Sequence, residues 1–511
     1  MEDLYRKLKE YENAGYYGFH MPGHKRNKAL TGAGLPYGID ITEIDGFDDL
    51  HHAKGILKEA QERASRAYHA DETHYLVNGS TVGILSAILG CTRKGDRILV
   101  ARNCHRAVYH GIFLGELHPL YVYPERTGTR GINGEVSAAQ IDELLRSEPD
   151  IRAVVITSPT YDGVVSDIRK IAECVHRYHI PLILDEAHGA HFGFHPYFPL
   201  NGNELGADVV IHSLHKTLPS LTQTALLHLN GALADRERIR MYLDMLQTSS
   251  PSYVLMASMD ECVRILEERR EEIFGRYTEL LDGTRRTLKQ LRHLSLLETG
   301  HYDRSKLLIL AQDVISAENI RALSENVNGK NGKEDIVSGD TSGEESRRIE
   351  IKKYTGKLLY NELRTKYLLQ MEMVSPGYVL GMTSPADTPE GMERLKRALF
   401  EIDGKLAGLQ KNEFFNSYSE SEIGFYERNE VVHPVWEMKR FTNKEMDVEL
   451  CDSLGCISAE YVYLYPPGIP LIVPGERISE GVVHQLRQYR EQGFEIEGTR
   501  QRGKLRVIQN G

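Results

Sequence analysis

The sequence predicts an α/β protein built on a doubly wound, mainly parallel sheet. Two observations lead there. From about residue 61, short apolar runs alternate with helical patterns, and strands separated by helices become parallel neighbours with helices on both faces. The runs themselves, such as Ala153-Val154-Val155-Ile156 and Val209-Val210-Ile211, are continuously apolar and β-branched, as in strands covered on both sides. A chain of 511 residues outgrows one core, so two or three domains are expected.

Residues 1–60 read as loops rich in Gly, His and Asp. His74-Tyr75-Leu76-Val77 is the first strand, and Asn78-Gly79-Ser80-Thr81 is a polar turn that opens a helix. Arg97-Ile98-Leu99-Val100 and Ala153 to Ile156 follow as strands. Ile168 to His179 is helical, and Pro181-Leu182-Ile183-Leu184-Asp185 is the strand after it. Val209 to Ile211 precedes Ser213-Leu214-His215-Lys216. Leu243 to Ser252 is a Ser/Thr-rich loop, and Ser258 to about Leu291 is one long helix crowded with Glu and Arg. These elements make a large domain over 61–290. Leu307-Leu308-Ile309-Leu310 starts a second αβ unit over 291–424, closed by a helix from Pro389 to Phe400. Within it, residues 324–349 are polar and Gly-rich and read as a flexible surface insertion. A last αβ region spans 425–511.

Composition narrows the function classes. The net charge of −11 disfavours a nucleic-acid partner. The six cysteines form no C-x-x-C pair, a reduced pattern expected of a cytoplasmic protein. Met1-Glu2-Asp3-Leu4-Tyr5-Arg6-Lys7 lacks the apolar stretch of a signal peptide, and no run approaches the roughly 18 apolar residues of a membrane span.

The chemistry concentrates at strand ends. A buried strand delivers its C-terminal residue to the mouth of the sheet, where ligands bind. There the sequence places Asp185 and Lys216, an acid and an amine that suit pyridoxal phosphate (PLP): the lysine can form a Schiff base and the acid can keep a pyridine nitrogen protonated. Each residue alone also has a structural explanation, a helix N-cap for Asp185 and a solvated side chain for Lys216. Ser80 and Thr81, at a strand-to-helix turn, offer hydroxyls and backbone N–H groups to a phosphate. His105, in Asn103-Cys104-His105, could stack on a pyridine ring. His188 and His191 beside Glu186 could suggest zinc, but the four-ligand count fails without distant help. Asp185-Glu186-Ala187-His188 also mimics the acidic box of nucleic-acid-dependent ATPases; the G-x-x-x-x-G-K-[ST] loop that such chemistry requires is missing from the sequence.

Together these pieces resemble the bacterial PLP-dependent ornithine/lysine/arginine decarboxylases, of the aspartate-aminotransferase-like fold. The resemblance rests on His20-Met21-Pro22-Gly23-His24-Lys25, Gly46-Phe47-Asp48-Asp49-Leu50-His51, Val77-Asn78-Gly79-Ser80-Thr81, Asn103-Cys104-His105 and Ser158-Pro159-Thr160-Tyr161-Asp162-Gly163. It continues through Asp185-Glu186-Ala187-His188-Gly189, Ser213-Leu214-His215-Lys216, Leu221-Thr222-Gln223 and Tyr465-Pro466-Pro467-Gly468-Ile469-Pro470, in the family's order along nearly the whole chain. Pro219 departs from the small residue usual after the lysine. The first motif arrives by residue 20, so the chain looks like the short form without an N-terminal response-regulator-like domain.

The resemblance implies a seven-stranded sheet in the large domain, an N-terminal segment (1–60) at the active site or dimer interface, and at least a homodimer with shared active sites. It implies polyamine metabolism: decarboxylation of arginine, lysine or ornithine to agmatine, cadaverine or putrescine. Lys216 would hold PLP, Asp185 its ring nitrogen, and His105 and His188 its faces or 3-oxygen. Ser80, Thr81, Ser213 and His215 would hold its phosphate. Lys216 or His215 would return a proton to Cα. Thr248 and Ser249 would reach the partner's cofactor phosphate. A basic substrate side chain needs a distal acid, expected among Glu43, Asp45 and Asp48. Aminotransfer on the same fold and an inactive regulatory homologue are the alternatives.

Overall fold

The computed structural model describes residues 3–14, 34–127, 132–311, 314–315, 355–406, 410–411, 428–465 and 468–508. The His20–Lys25 motif, the 324–349 insertion and Pro466-Pro467 lie outside them.

The expected sheet is present. It has seven strands: β1 (Glu72–Leu76), β2 (Arg97–Ala101), β3 (His118–Val122), β4 (Ile151–Thr157), β5 (Leu182–Asp185), β6 (Val209–His212) and β7 (Ala225–Leu229). Their order is β1-β7-β6-β5-β4-β2-β3. Strands β3, β2, β4, β5 and β6 pair in parallel, and β7 alone runs against its neighbours. Alternate side chains enter separate cores on the two faces. Ile98, Val100, Ile183 and Ile211 join one cluster, and Leu99, Val154, Leu184 and Val210 the other. Each such buried aliphatic side chain contributes about 1.5–3 kcal/mol, which is why these strands read as unbroken apolar runs.

Two strands escaped the sequence reading. β3 is an edge strand containing Pro119, which an edge tolerates because one side needs no N–H donor. β7 carries a histidine, His228, in its middle. The long helix runs over Tyr253–Leu288 and begins five residues before the expected Ser258, because Ser252 caps it by accepting from the Leu255 N–H.

His228 belongs to a polar chain laid across the sheet. Thr73 Oγ1 on β1 meets His228 Nδ1 on β7 at 2.7 Å, and His228 Nε2 meets His212 Nδ1 on β6 at 3.0 Å. His212 Nε2 then meets Glu186 Oε2, just past β5, at 2.7 Å. All four residues are buried, and the Tyr68 ring lies 4.9 Å from both imidazoles.

A second, antiparallel sheet is ordered β8 (Leu294–Leu297), β9 (Lys306–Ala311), β11 (Tyr378–Met382), β10 (Met373–Val374). Leu308, Leu380 and Tyr378 on one face pack on Val164 and Tyr161 from the loop after β4. Leu307, Ile309 and Val379 on the other join the helical core. The C-terminal region adds two three-stranded sheets and the helix Glu480–Glu491 around its own core. Among the described residues no helix is long and apolar enough to cross a membrane.

Candidate active site

The C-terminal ends of β1, β4, β5 and β6 open on one cavity of about 490 Å³. Its position follows from topology: parallel strands align their C-termini at one edge, and the register pairs Thr157 with Asp185 and Asp185 with Ile211. Ser80, Thr81, His105, Asp185, His188, Ser213, His215 and Lys216 all line this cavity.

Lys216 ends β6 by way of the short turn Leu214–Thr217. Its Nζ lies 3.0 Å from His188 Nε2. Burial depresses its pKa, against the pull of Asp185, which favours a nucleophilic neutral amine. His188 is held neutral by burial and by Lys216. Asp185 is buried and accepts the Ala187 N–H on Oδ1 at 3.2 Å. Burial raises its pKa while Lys216 lowers it, and a cation beside it favours the ionised carboxylate.

His105 caps the helix Arg106–Gly115, its Nδ1 accepting from the Ala107 N–H. Burial first, and Lys216 second, push its pKa down to about 3. The ring is therefore neutral with its proton on Nε2. His215 commits Nδ1–H to the Thr224 carbonyl at 2.9 Å, leaving Nε2 as its free ring atom. The hydroxyls of Ser80 and Ser213 meet each other. They stand at the turn where Gly79 takes φ +74°, a conformation that glycine adopts without strain.

The other expected residues lie elsewhere in the protomer. Thr248 and Ser249 are exposed and outside the cavity. Their loop is pinned beside the Ser80 turn: Thr248 N–H donates to Asn78 Oδ1 at 3.2 Å, and His51 Nε2 donates to the Thr248 carbonyl at 2.9 Å. Glu43, Asp45 and Asp48 are also absent from the cavity wall. Asp48 accepts backbone N–H groups of Asp49, Lys54, Gly55 and Leu57, so its carboxylate organises its own loop. The zinc-like trio separates as well. Glu186 turns to His212, His188 to Lys216, and His191 to Asp303 at 3.0 Å.

An acid does face Lys216, from a place the sequence did not mark. Glu372, just before β10, lines the cavity and accepts a hydrogen bond from the Tyr161 hydroxyl. Burial first and Glu372 second raise the Tyr161 pKa, keeping that hydroxyl a donor. Met382, Tyr465 and Ile469 complete this side of the cavity. Glu372 lies more than 150 residues from Lys216 along the chain and belongs to no local pattern; only the pairing of β9, β10 and β11 brings it round.

Three buried polar atoms on this wall, Asn103 Oδ1, Thr157 Oγ1 and His188 Nδ1, have no partner among the described residues. Unsatisfied buried groups cost about 1–3 kcal/mol each, so their clustering fits a polar ligand. A ring held between neutral imidazoles, a carboxylate and an amine, with a phosphate at the Ser80 turn, matches this donor set.

A profile of the Orn/Lys/Arg decarboxylase major domain matches residues 2–305, and that of the Orn/Lys/Arg decarboxylase C-terminal domain matches residues 426–499. An uncharacterised Bacillus subtilis protein, YaaO, is 33% identical over 513 residues, covering 97% of this chain and 95% of that protein. An arginine decarboxylase of Halalkalibacterium halodurans is 29% identical over 494 residues, covering 94% and 91%. The crystal structure of a Francisella novicida lysine decarboxylase shares the fold, with a TM-score of 0.77 at 18% identity over 99% of this chain and 81% of that one.

Proposed function

The chain belongs to the Orn/Lys/Arg decarboxylase family, and from that premise we propose that it is a PLP-dependent decarboxylase converting a basic amino acid to its amine. One observation carries the reading: Lys216 and Asp185 share a cavity whose lining also carries an acid, Glu372. Arginine is the substrate placed first. A relative 29% identical over nearly the whole chain has that name, and a planar guanidinium suits a carboxylate's two oxygens.

In this reading Lys216 Nζ would hold the cofactor covalently, its depressed pKa making the free amine available. Asp185 would hold the ring nitrogen and His105 would lie against the ring. Ser80, Thr81, Ser213 and His215 would hold the phosphate. Thr248 and Ser249 would reach the site of a second protomer. When bound, pyridoxal phosphate supplies an electron-accepting ring that takes up the bonding pair released as carbon dioxide leaves. Glu372 would hold the distal cation and so orient the amino acid within the cavity. Ile469 and Met382 give this side of the cavity an apolar lining, which favours loss of a charged carboxylate. Lys216 Nζ, 3.0 Å from His188 Nε2, or else His215, would supply the proton to Cα.

The test is carbon dioxide release by the purified, PLP-loaded protein offered arginine, lysine and ornithine separately. Release from one of them is expected. No release from any, with cofactor bound, refutes the proposal.

A further inference from the structure

The Arg102-Asn103-Cys104-His105 segment begins with a residue that never touches the cavity. Arg102 is fully buried at the end of β2. Its guanidinium points away from the sheet, into the C-terminal region, and its fork is filled there. Nη1 donates to the Pro470 carbonyl at 2.7 Å and Nη2 to the Leu471 carbonyl at 3.2 Å. Nη2 also meets Glu476 Oε2 at 3.0 Å, while Nη1 donates to the Tyr109 hydroxyl at 3.0 Å. Glu476 is equally buried and is itself fixed by the Val473 N–H at 3.0 Å and Asn429 Nδ2 at 3.3 Å.

The two ends of this bridge frame the active site. Asn103 and His105, on the Arg102 side, line one wall of the cavity. Ile469, the residue before Pro470, and Tyr465 line another. We propose that Arg102 is a positioning residue: one buried guanidinium, locked to Glu476, fixes the distance between the His105 wall and the wall that carries Tyr465 and Ile469, and so sets how the substrate side chain fits. A buried ion pair is a costly way to gain stability. The planar fork reaches two successive carbonyls and a carboxylate at once, which an ammonium cannot do. The C-terminal region then acts as a wall of the pocket whose placement is dictated from the main sheet.

The test uses two variants of the full-length holoenzyme. Arg102→Lys keeps the charge and loses the fork. The double variant Arg102→Met, Glu476→Met removes the pair without leaving an orphaned buried charge, the costliest result of a single truncation. The first readout is amide hydrogen exchange, which does not depend on the decarboxylase reading. Exchange should accelerate in residues 468–476 in both variants and stay unchanged in residues 151–157, 182–185 and 209–212. The second readout rests on that reading: KM for the amino acid should rise about tenfold with kcat within about twofold, the sign of lost binding rather than lost chemistry. Unchanged exchange in residues 468–476 overturns the proposal. So does acceleration spread evenly over the sheet, which would make the pair merely structural, or a collapse of kcat with KM unmoved. If the wild-type protein releases carbon dioxide from none of the three amino acids, the functional reading fails while the exchange measurement still decides the anchoring.

Discussion

Glu372→Gln isolates one charge. Glutamine keeps the shape of the side chain and can still accept from the Tyr161 hydroxyl, so the wall should stand unchanged. What disappears is the negative charge offered to the substrate's distal cation. A hydrogen bond to a charged group is worth about 1.5–3 kcal/mol, which converts to a rise in KM of about 10- to 150-fold. The distal cation keeps its charge as the bond breaks, so the contact is equal in ground and transition states and kcat should stay within about twofold. Tyr161 cannot replace the lost charge, because burial, the largest cause of its raised pKa, still holds its hydroxyl protonated once the Glu372 carboxylate is gone. Steady-state carbon dioxide release with the preferred amino acid measures both constants. The discrimination against a neutral isostere, citrulline where arginine is the substrate, should fall in parallel. A KM within about twofold of the wild type, or undiminished rejection of the neutral isostere, refutes the assignment of Glu372 and returns the search to acids from a second protomer.

Other outcomes follow from the same geometry. Lys216→Ala should abolish turnover and leave the cofactor dialysable, read by loss of visible absorption; retained activity would sink the mechanism. Asp185→Asn should keep the fold but lower kcat by at least about a hundredfold, since a neutral amide cannot stabilise a protonated ring nitrogen; a loss under about tenfold would place the nitrogen's partner elsewhere. Asp162→Asn tests stability against pH. Burial raises the Asp162 pKa to about 6 from 3.8, opposed by the Tyr378 hydroxyl bonded to it at 2.5 Å. The folded state thus binds its proton more tightly than the unfolded chain, and this stabilisation is present below pH 4 and lost as pH rises through about 6. The full conversion is about 3 kcal/mol. Partial solvent contact at this side chain screens it to about 1–2 kcal/mol. The variant should therefore match the wild type in urea melts at pH 4 and exceed it at pH 8; equal midpoints at both would contradict the buried-charge argument.

Much of the fold was legible because its signals are local. Continuous apolar runs named β4, β5 and β6, and the residues at their ends, Asp185, Ser213 and Lys216, could be placed at one sheet edge by topology alone. The Ser80 turn was legible for the same reason. What escaped depended on distant partners. Pro119 hid an edge strand and His228 hid an internal one, since the first needs its edge and the second its partners on β1 and β6 to make sense. The acid-rich stretch around Asp48 attracted a substrate role by composition, yet its carboxylate is spent on four backbone N–H groups. Glu372 had no local mark and emerges only when two strands of the second sheet pair.

The polar chain from Thr73 through His228 and His212 to Glu186 also constrains how such a protein can change over generations. Removing any one member strands its neighbours in a dry interior, at about 1–3 kcal/mol for each orphaned group. Replacing all four by fitted apolar side chains would cost far less. Single substitutions should therefore be strongly non-additive, so that the four positions are inherited as a unit: drift along one of them is blocked until the others have moved. Because Glu186 and His212 are the immediate chain neighbours of Asp185 and Ser213, that blockade also shelters the strand ends on which the site is built.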